Sequence, residues 1–180
     1  MKKNPTDATP LTVLTPVHPG DEPELAAYLA RLPQGDRSPF RRLSSTHFAR
    51  WVVVGPLSTD YPGAPFPDRP LRMRYLLFTT TFNSPVPDFL AELRTRLGAE
   101  ADAVWGHCVN YPGHHDAREF DRYLIRNSLP VHQWFAAYDA TVTEVRNGLD
   151  LRDEHLAFAR KVQQSGDEKL QQAFIDHFGV

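Results

Sequence analysis

Two stretches of the chain change polarity along their length. Thr46-His47-Phe48-Ala49-Arg50-Trp51-Val52-Val53-Val54 starts polar and ends apolar, whereas Ala103-Val104-Trp105-Gly106-His107-Cys108-Val109-Asn110-Tyr111-Pro112 starts apolar and ends polar. Both are short, apolar and rich in β-branched or aromatic residues, the pattern of a strand. Each carries a histidine near its polar end. Upstream, the β-branched run Leu11-Thr12-Val13-Leu14-Thr15 stops at Pro16 and predicts a first strand. Asp21 then caps a helix, with Pro23 in its first turn and Glu24 three residues after the cap. Leu25, Tyr28, Leu29 and Leu32 fall on one face, and Pro33 with Gly35 ends it. A third strand spans Met73 to Phe82. Pro87 opens a second helix whose stripe of Phe89, Leu90, Leu93 and Leu97 is closed by Gly98, ahead of a fourth strand over Ala103 to Val109.

The rest of the chain reads as an extension. Asp116 to Arg126 is predicted helical with Phe120, Tyr123 and Leu124 inward, and Val131 to Tyr138 reads as a fifth strand. Thr141-Val142-Thr143-Glu144 has the capping-box pattern and opens a helix towards Val162. A last amphipathic helix carries Leu170, Phe174 and Phe178. Between the second and third strands lie Pro56, Pro62, Pro65, Pro67 and Pro70, too long a connection for a tight hairpin. Such a loop is either a lid or a stiff surface meander. Residues 1–10 read as a disordered lead and 11–180 as a single α+β domain, with a core over 11–112 and an extension over 113–180.

The order β-α-β-β-α-β is that of the ferredoxin-like split unit. In its usual 4-1-3-2 arrangement, His47 opens the second strand and His107 closes the fourth. Both then lie at the same end of the sheet. Three strand spacings, about 14 Å, would separate them, too far for a shared metal. Alternation puts His47, Ala49, Trp51 and Val53 on one face and Phe48, Arg50, Val52 and Val54 on the other. Both sets are largely apolar, which predicts cover for the second face from a partner subunit or the extension.

In this element order, residues 11–112 resemble the dimeric α/β-barrel superfamily, whose ferredoxin-like subunits pair sheet against sheet. The resemblance implies a homodimer. Its members include cofactor-free monooxygenases, polyketide cyclases, heme-degrading enzymes, chlorite dismutases and dye-decolorising peroxidases. The Gly-Xaa-Xaa-Asp-Gly run of the peroxidase members is absent. The strings His47-Phe48-Ala49-Arg50-Trp51 and Trp105-Gly106-His107-Cys108 also resemble those of a bacterial protein family with no assigned reaction.

Composition narrows the partners. The 41% hydrophobic content fits a soluble globular chain with a proper core, and the net charge is −2. With no basic block longer than Arg41-Arg42, neither nucleic acid nor an anionic membrane is an expected partner. The single cysteine, Cys108, cannot form an internal disulfide. Met1-Lys2-Lys3 is followed by polar residues rather than an apolar run, so no signal peptide or membrane span is predicted and the expected compartment is cytoplasmic.

His47 with Arg50 is the best candidate acid–base pair, an imidazole base beside a guanidinium that could stabilise an oxyanion. Alternation sends the two to opposite faces unless a bulge intervenes. The plain alternative is a hydrogen-bonded histidine and a structural salt bridge. His107, at a pocket rim, is the other proton-transfer candidate, with Asn110 as a polarising group. His107, Cys108, His114, His115 and Asp116 have some metal-ligand character, but their spacing matches no standard motif and no metal is expected. His114 and His115, after the turn Asn110-Tyr111-Pro112-Gly113, read as solvated loop residues, and Cys108 as a buried thiol. His132 shares a strand face with Trp134, Ala136 and Tyr138, a wall that would suit a flat ligand or a heme with a histidine axial ligand. Trp51, Trp105 and Tyr138 are the expected cavity lining.

The leading expectation is therefore a protein that binds a small apolar or aromatic molecule, with possible chemistry of the monooxygenase, isomerase or cyclase type at His47 or His107. Heme binding and a non-catalytic accessory role are the alternatives.

Overall fold

The computed structural model describes residues 8–55, 73–135, 140–163 and 167–178. The proline-rich connection and residues 1–7 lie outside these ranges. The chain divides into two units, Met1–Val142 and Thr143–Val180.

The first unit is an α+β arrangement built on a four-stranded antiparallel sheet. In chain order it runs β1 (Thr9–Pro16), α1 (Glu22–Arg31), two short 3-10 turns (Gly35–Arg37 and Pro39–Arg42), β2 (Thr46–Val54), β3 (Tyr75–Phe82), α2 (Val86–Trp105), α3 (Ala117–Arg126) and β4 (Ser128–Leu129). In space the order is β2-β3-β1-β4. β3 is antiparallel to both β1 and β2, so those two run the same way. The register Val13–Phe78–Trp51 puts one inward row across three strands. Val13, Leu76, Phe78 and Phe82 are buried there against Leu25 of α1, Phe89, Leu90 and Leu93 of α2 and Phe120 and Leu124 of α3. The alternate positions form the other face. There the row Thr12–Thr79–Arg50 is polar, and Phe48 and Val52 are 49% and 38% exposed.

β1, β2, β3, α1 and α3 fall where the hydrophobic pattern puts them, within a few residues. The expected fourth strand over Ala103–Val109 does not form. α2 runs through to Trp105, and Gly98, expected to stop it, is an interior residue of that helix. The reason lies in the packing stripe: Leu90, Leu93, Leu97, Ala101, Val104 and Trp105 follow a helical spacing and all are buried. Glu100, Ala101 and Ala103 are good helix formers. The helix is distorted at Leu97 (φ −125°, ψ 22°) but resumes. After it, the chain meets the end of β1 through an isolated bridge between Cys108 and Val17 and a hydrogen bond from Val109 N–H to the Pro16 carbonyl. The fourth strand is instead the two-residue β4, beside β1 at Thr12 and Val13.

The expected fifth strand, Val131–Tyr138, is also not seen. Residues 131–135 have no regular structure and are exposed, with no strand alongside among the described residues to complete their hydrogen bonds, and 136–139 lie outside the described residues. Asp21 occupies the cap position of α1, but its side chain makes no capping bond; its carboxylate goes to His107. Asp116 does cap α3, accepting from the N–H groups of Arg118 and Glu119.

In the second unit, α4 (Val142–Val162, entered from the first unit) and α5 (Asp167–Phe178) are joined by an aromatic contact, with the Phe158 and Phe174 rings 5.9 Å apart, edge to face. Among the described residues no helix is long and apolar enough to cross a membrane.

Candidate functional site

The two histidines singled out by the sequence lie at opposite ends of the sheet. His47 opens β2, whose neighbour Thr46 pairs with Phe82, and Phe82 pairs with Thr9 at the start of β1. His107 lies past the other end. Its carbonyl accepts from the N–H of His18 at 2.9 Å, and the N–H of Val109 donates to the carbonyl of Pro16 at 2.9 Å. Strands of this length hold their ends roughly 20 Å apart. The shared rim required a return strand over 103–109; α2 runs on to Trp105 and a turn follows, so the chain has not travelled back when it reaches His107.

His47 sits at a β-bulge, where the register shifts between Thr46 and Phe48. Burial lowers its pKa, and a hydrogen bond with Asn83 partly offsets that. Arg50 is exposed and turned to other partners. Its Nε donates to Thr79 Oγ1 at 3.0 Å, and its guanidinium lies 5.7 Å from the Phe48 ring centroid. One pH effect follows. The unfolded chain protonates His47 first as pH falls below about 6.5, so stability present above that value is lost as pH drops through the lower folded value. We expect His47→Gln to flatten this part of the pH profile of the urea midpoint. An unchanged slope would show that His47 does not set it.

His107 Nδ1 lies 3.2 Å from Asp21 Oδ2. Cys108 is buried, accepts from the Thr15 hydroxyl at 3.3 Å, and has its thiol pushed up to about 11, mainly by burial. It is a structural thiol rather than a nucleophile. His132 is exposed in an irregular segment, and Tyr138 lies outside the described residues. Trp105 is fully buried rather than at a cavity wall. It stands edge to face with Trp51 (5.7 Å), Phe78 (5.3 Å) and Phe120 (6.5 Å), because the helix that replaces the expected strand drives it into the core.

Trp51 does line a cavity. This space of about 300 Å³ lies between the end of α1 (Leu29, Leu32), the 3-10 turns (Ser38, Phe40) and β2 (Ala49, Trp51). The Phe40 and Trp51 rings are 4.3 Å apart. A second cavity, of about 330 Å³, is walled by Pro16, Val109, Tyr123 and the polar groups of Asn110, Arg122 and Arg126. Asn110 adopts a left-handed backbone conformation (φ 60°), which Asn tolerates better than most residues. Neither cavity has a histidine in its walls.

The most developed polar constellation is one that sequence reasoning missed. His114, expected to be solvated, is half-buried. Its Nδ1 lies 2.6 Å from Asp102 Oδ2, and its backbone N–H donates to Asp102 Oδ1 at 3.0 Å. The Tyr111 hydroxyl donates to the same Oδ1 at 2.8 Å. Burial acts to raise the Asp102 pKa, but the hydrogen bonds from His114 and Tyr111 outweigh it and hold the carboxyl below its usual range. The imidazole lies in a notch left by Gly98, one turn before Asp102 in α2: a Cβ at Gly98 would come 2.4 Å from His114 Cδ2. The signal available in the sequence was a glycine inside an apolar stripe, followed four residues later by an aspartate.

The chain matches no protein-family model, no curated protein and no solved structure.

Proposed function

We propose that this ferredoxin-like chain binds a small apolar or aromatic molecule in the cavity between α1 and β2. The observation that carries the reading is the Phe40–Trp51 wall. Two aromatic faces and the aliphatic side chains of Leu29 and Leu32 bound a space of about 300 Å³, with Gln34 and Ser38 as the polar groups that could orient a ligand. That volume falls at the lower end of the range for small-ligand sites. Among the described residues, Arg50 is the only titratable one in its lining, so the reading is confined to binding. A monooxygenase, isomerase or cyclase reaction would need a proton-transfer group at the wall, and a heme would need a histidine there.

Indole and related small aromatics, titrated calorimetrically, are expected to bind at one equivalent per chain and to perturb Trp51 fluorescence. Leu32→Trp, which fills the cavity from its α1 side, is expected to abolish binding while leaving the urea midpoint close to wild type. Failure of every aromatic probe to bind, or equal binding by the filled variant, would overturn the reading.

A further inference from the structure

We propose that Asp102, His114 and His115 form a binding site for a divalent transition-metal ion, with Zn²⁺ the best match to their donors. One potential ligand atom from each residue lies within 4.8 Å of the others. Zn²⁺ holds imidazole nitrogen and carboxylate oxygen at about 2.0–2.2 Å, so its donors stand on the order of 3.5 Å from one another. The Asp102–His114 pair, 2.6 Å apart, would open and His115 would draw in, each by a shift on the order of 1 Å, to reach that spacing. Two imidazoles and one carboxylate favour Zn²⁺ or Co²⁺ over Mg²⁺ or Ca²⁺, which prefer all-oxygen cages.

Three features separate this cluster from an ordinary surface Asp–His pair. First, the carboxylate is already fixed from behind. Tyr111 and the backbone N–H of His114 hold Oδ1, which leaves Oδ2 directed at the imidazole. Such outer partners orient the ligands of metal sites. Second, His114 is seated by the backbone of α2, because only a residue without a Cβ at position 98 admits the ring. Third, the chain bends at 114 and 115, and the two rings are 4.0 Å apart, whereas neighbouring side chains on an extended strand would diverge. His115 is exposed.

The site binds a cation through neutral imidazoles and an ionised carboxylate, so binding weakens at low pH, where protons compete for the same donor atoms. Three protein donors leave a fourth position for water or an exogenous ligand, as in zinc sites that act on substrates rather than merely brace a fold.

The test uses the untagged full-length chain titrated with Co²⁺, read by its visible d–d absorption, and with Zn²⁺, read by calorimetry. We expect one equivalent bound and a rise in the urea midpoint with Zn²⁺. His115→Ala removes an exposed side chain, so the fold should persist while affinity falls by about ten-fold or more. Asp102→Asn is expected to do the same, and exchange of the exposed His18 or His132 for alanine to leave binding unchanged. Absence of a Co²⁺ spectrum, or binding by His115→Ala with wild-type affinity, would overturn the proposal.

Discussion

Trp105→Ala is expected to lower the free energy of unfolding of the first unit by about 3–5 kcal/mol, the range for truncating a fully buried tryptophan. The indole is 0% exposed and stands between Trp51, Phe78 and Phe120. Its loss removes three edge-to-face aromatic contacts and leaves a void among rings that cannot collapse without breaking the Phe40–Trp51 wall. Trp105→Phe tests the cause. The indole Nε1 is buried with no hydrogen-bond partner among the described residues, and an orphaned buried donor costs about 1–3 kcal/mol. Phenylalanine leaves a smaller void and removes that donor, so most of the loss should be recovered. Urea unfolding is the measurement. Equal losses for the two variants would mean that ring packing is not what Trp105 contributes.

The second large effect is Gly98→Ala. In an exposed helix this change would be stabilising by roughly 1 kcal/mol. At position 98 the new methyl would lie 2.4 Å from His114 Cδ2 and 2.8 Å from Cγ. The ring has little room to yield, because its own Nδ1 and backbone N–H are both tied to Asp102. Overpacking of this kind costs about 1–3 kcal/mol. The closeness of the contact places it in the upper part of that range, for a net loss of about 1–2 kcal/mol. The same change should release the imidazole, seen as a shift of the His114 ring resonances towards those of a solvated histidine. His114→Ala empties the notch, so adding it to Gly98→Ala should recover stability relative to Gly98→Ala alone, a non-additivity expected only of residues in contact. A Gly98→Ala variant as stable as wild type, with unmoved His114 resonances, would remove the notch from the account.

Alternation and amphipathic spacing made β1, α1, β2, β3 and α3 legible, because each of these elements buries one face against a single core. Legibility failed where a residue's role depends on something distant. Gly98 looks like a helix stop when only its neighbours are considered. Its actual role is to make room for a ring sixteen positions downstream, and nothing local records that. Reading 103–109 as a strand followed from that error, and the placement of His107 at the same end of the sheet as His47 followed in turn. β4, at two residues, is too short for any periodic signal. Trp51, expected as cavity lining, borders the space between α1 and β2. Asp102 and Tyr111 were missed because their significance arises only when the turn at 106–115 folds back over the end of α2.

That turn is held from many sides. Asp21 bonds to the His107 ring, His18 and Pro16 bond to its backbone, the Tyr123 hydroxyl reaches the Val109 carbonyl, and Tyr111 reaches Asp102. Ordering a loop from a flexible state would cost on the order of 1–2 kcal/mol per residue in backbone freedom alone. Here folding has already met that cost. Whatever the segment receives meets a preorganised receptor, so its affinity should reflect contact chemistry with little subtracted for entropy.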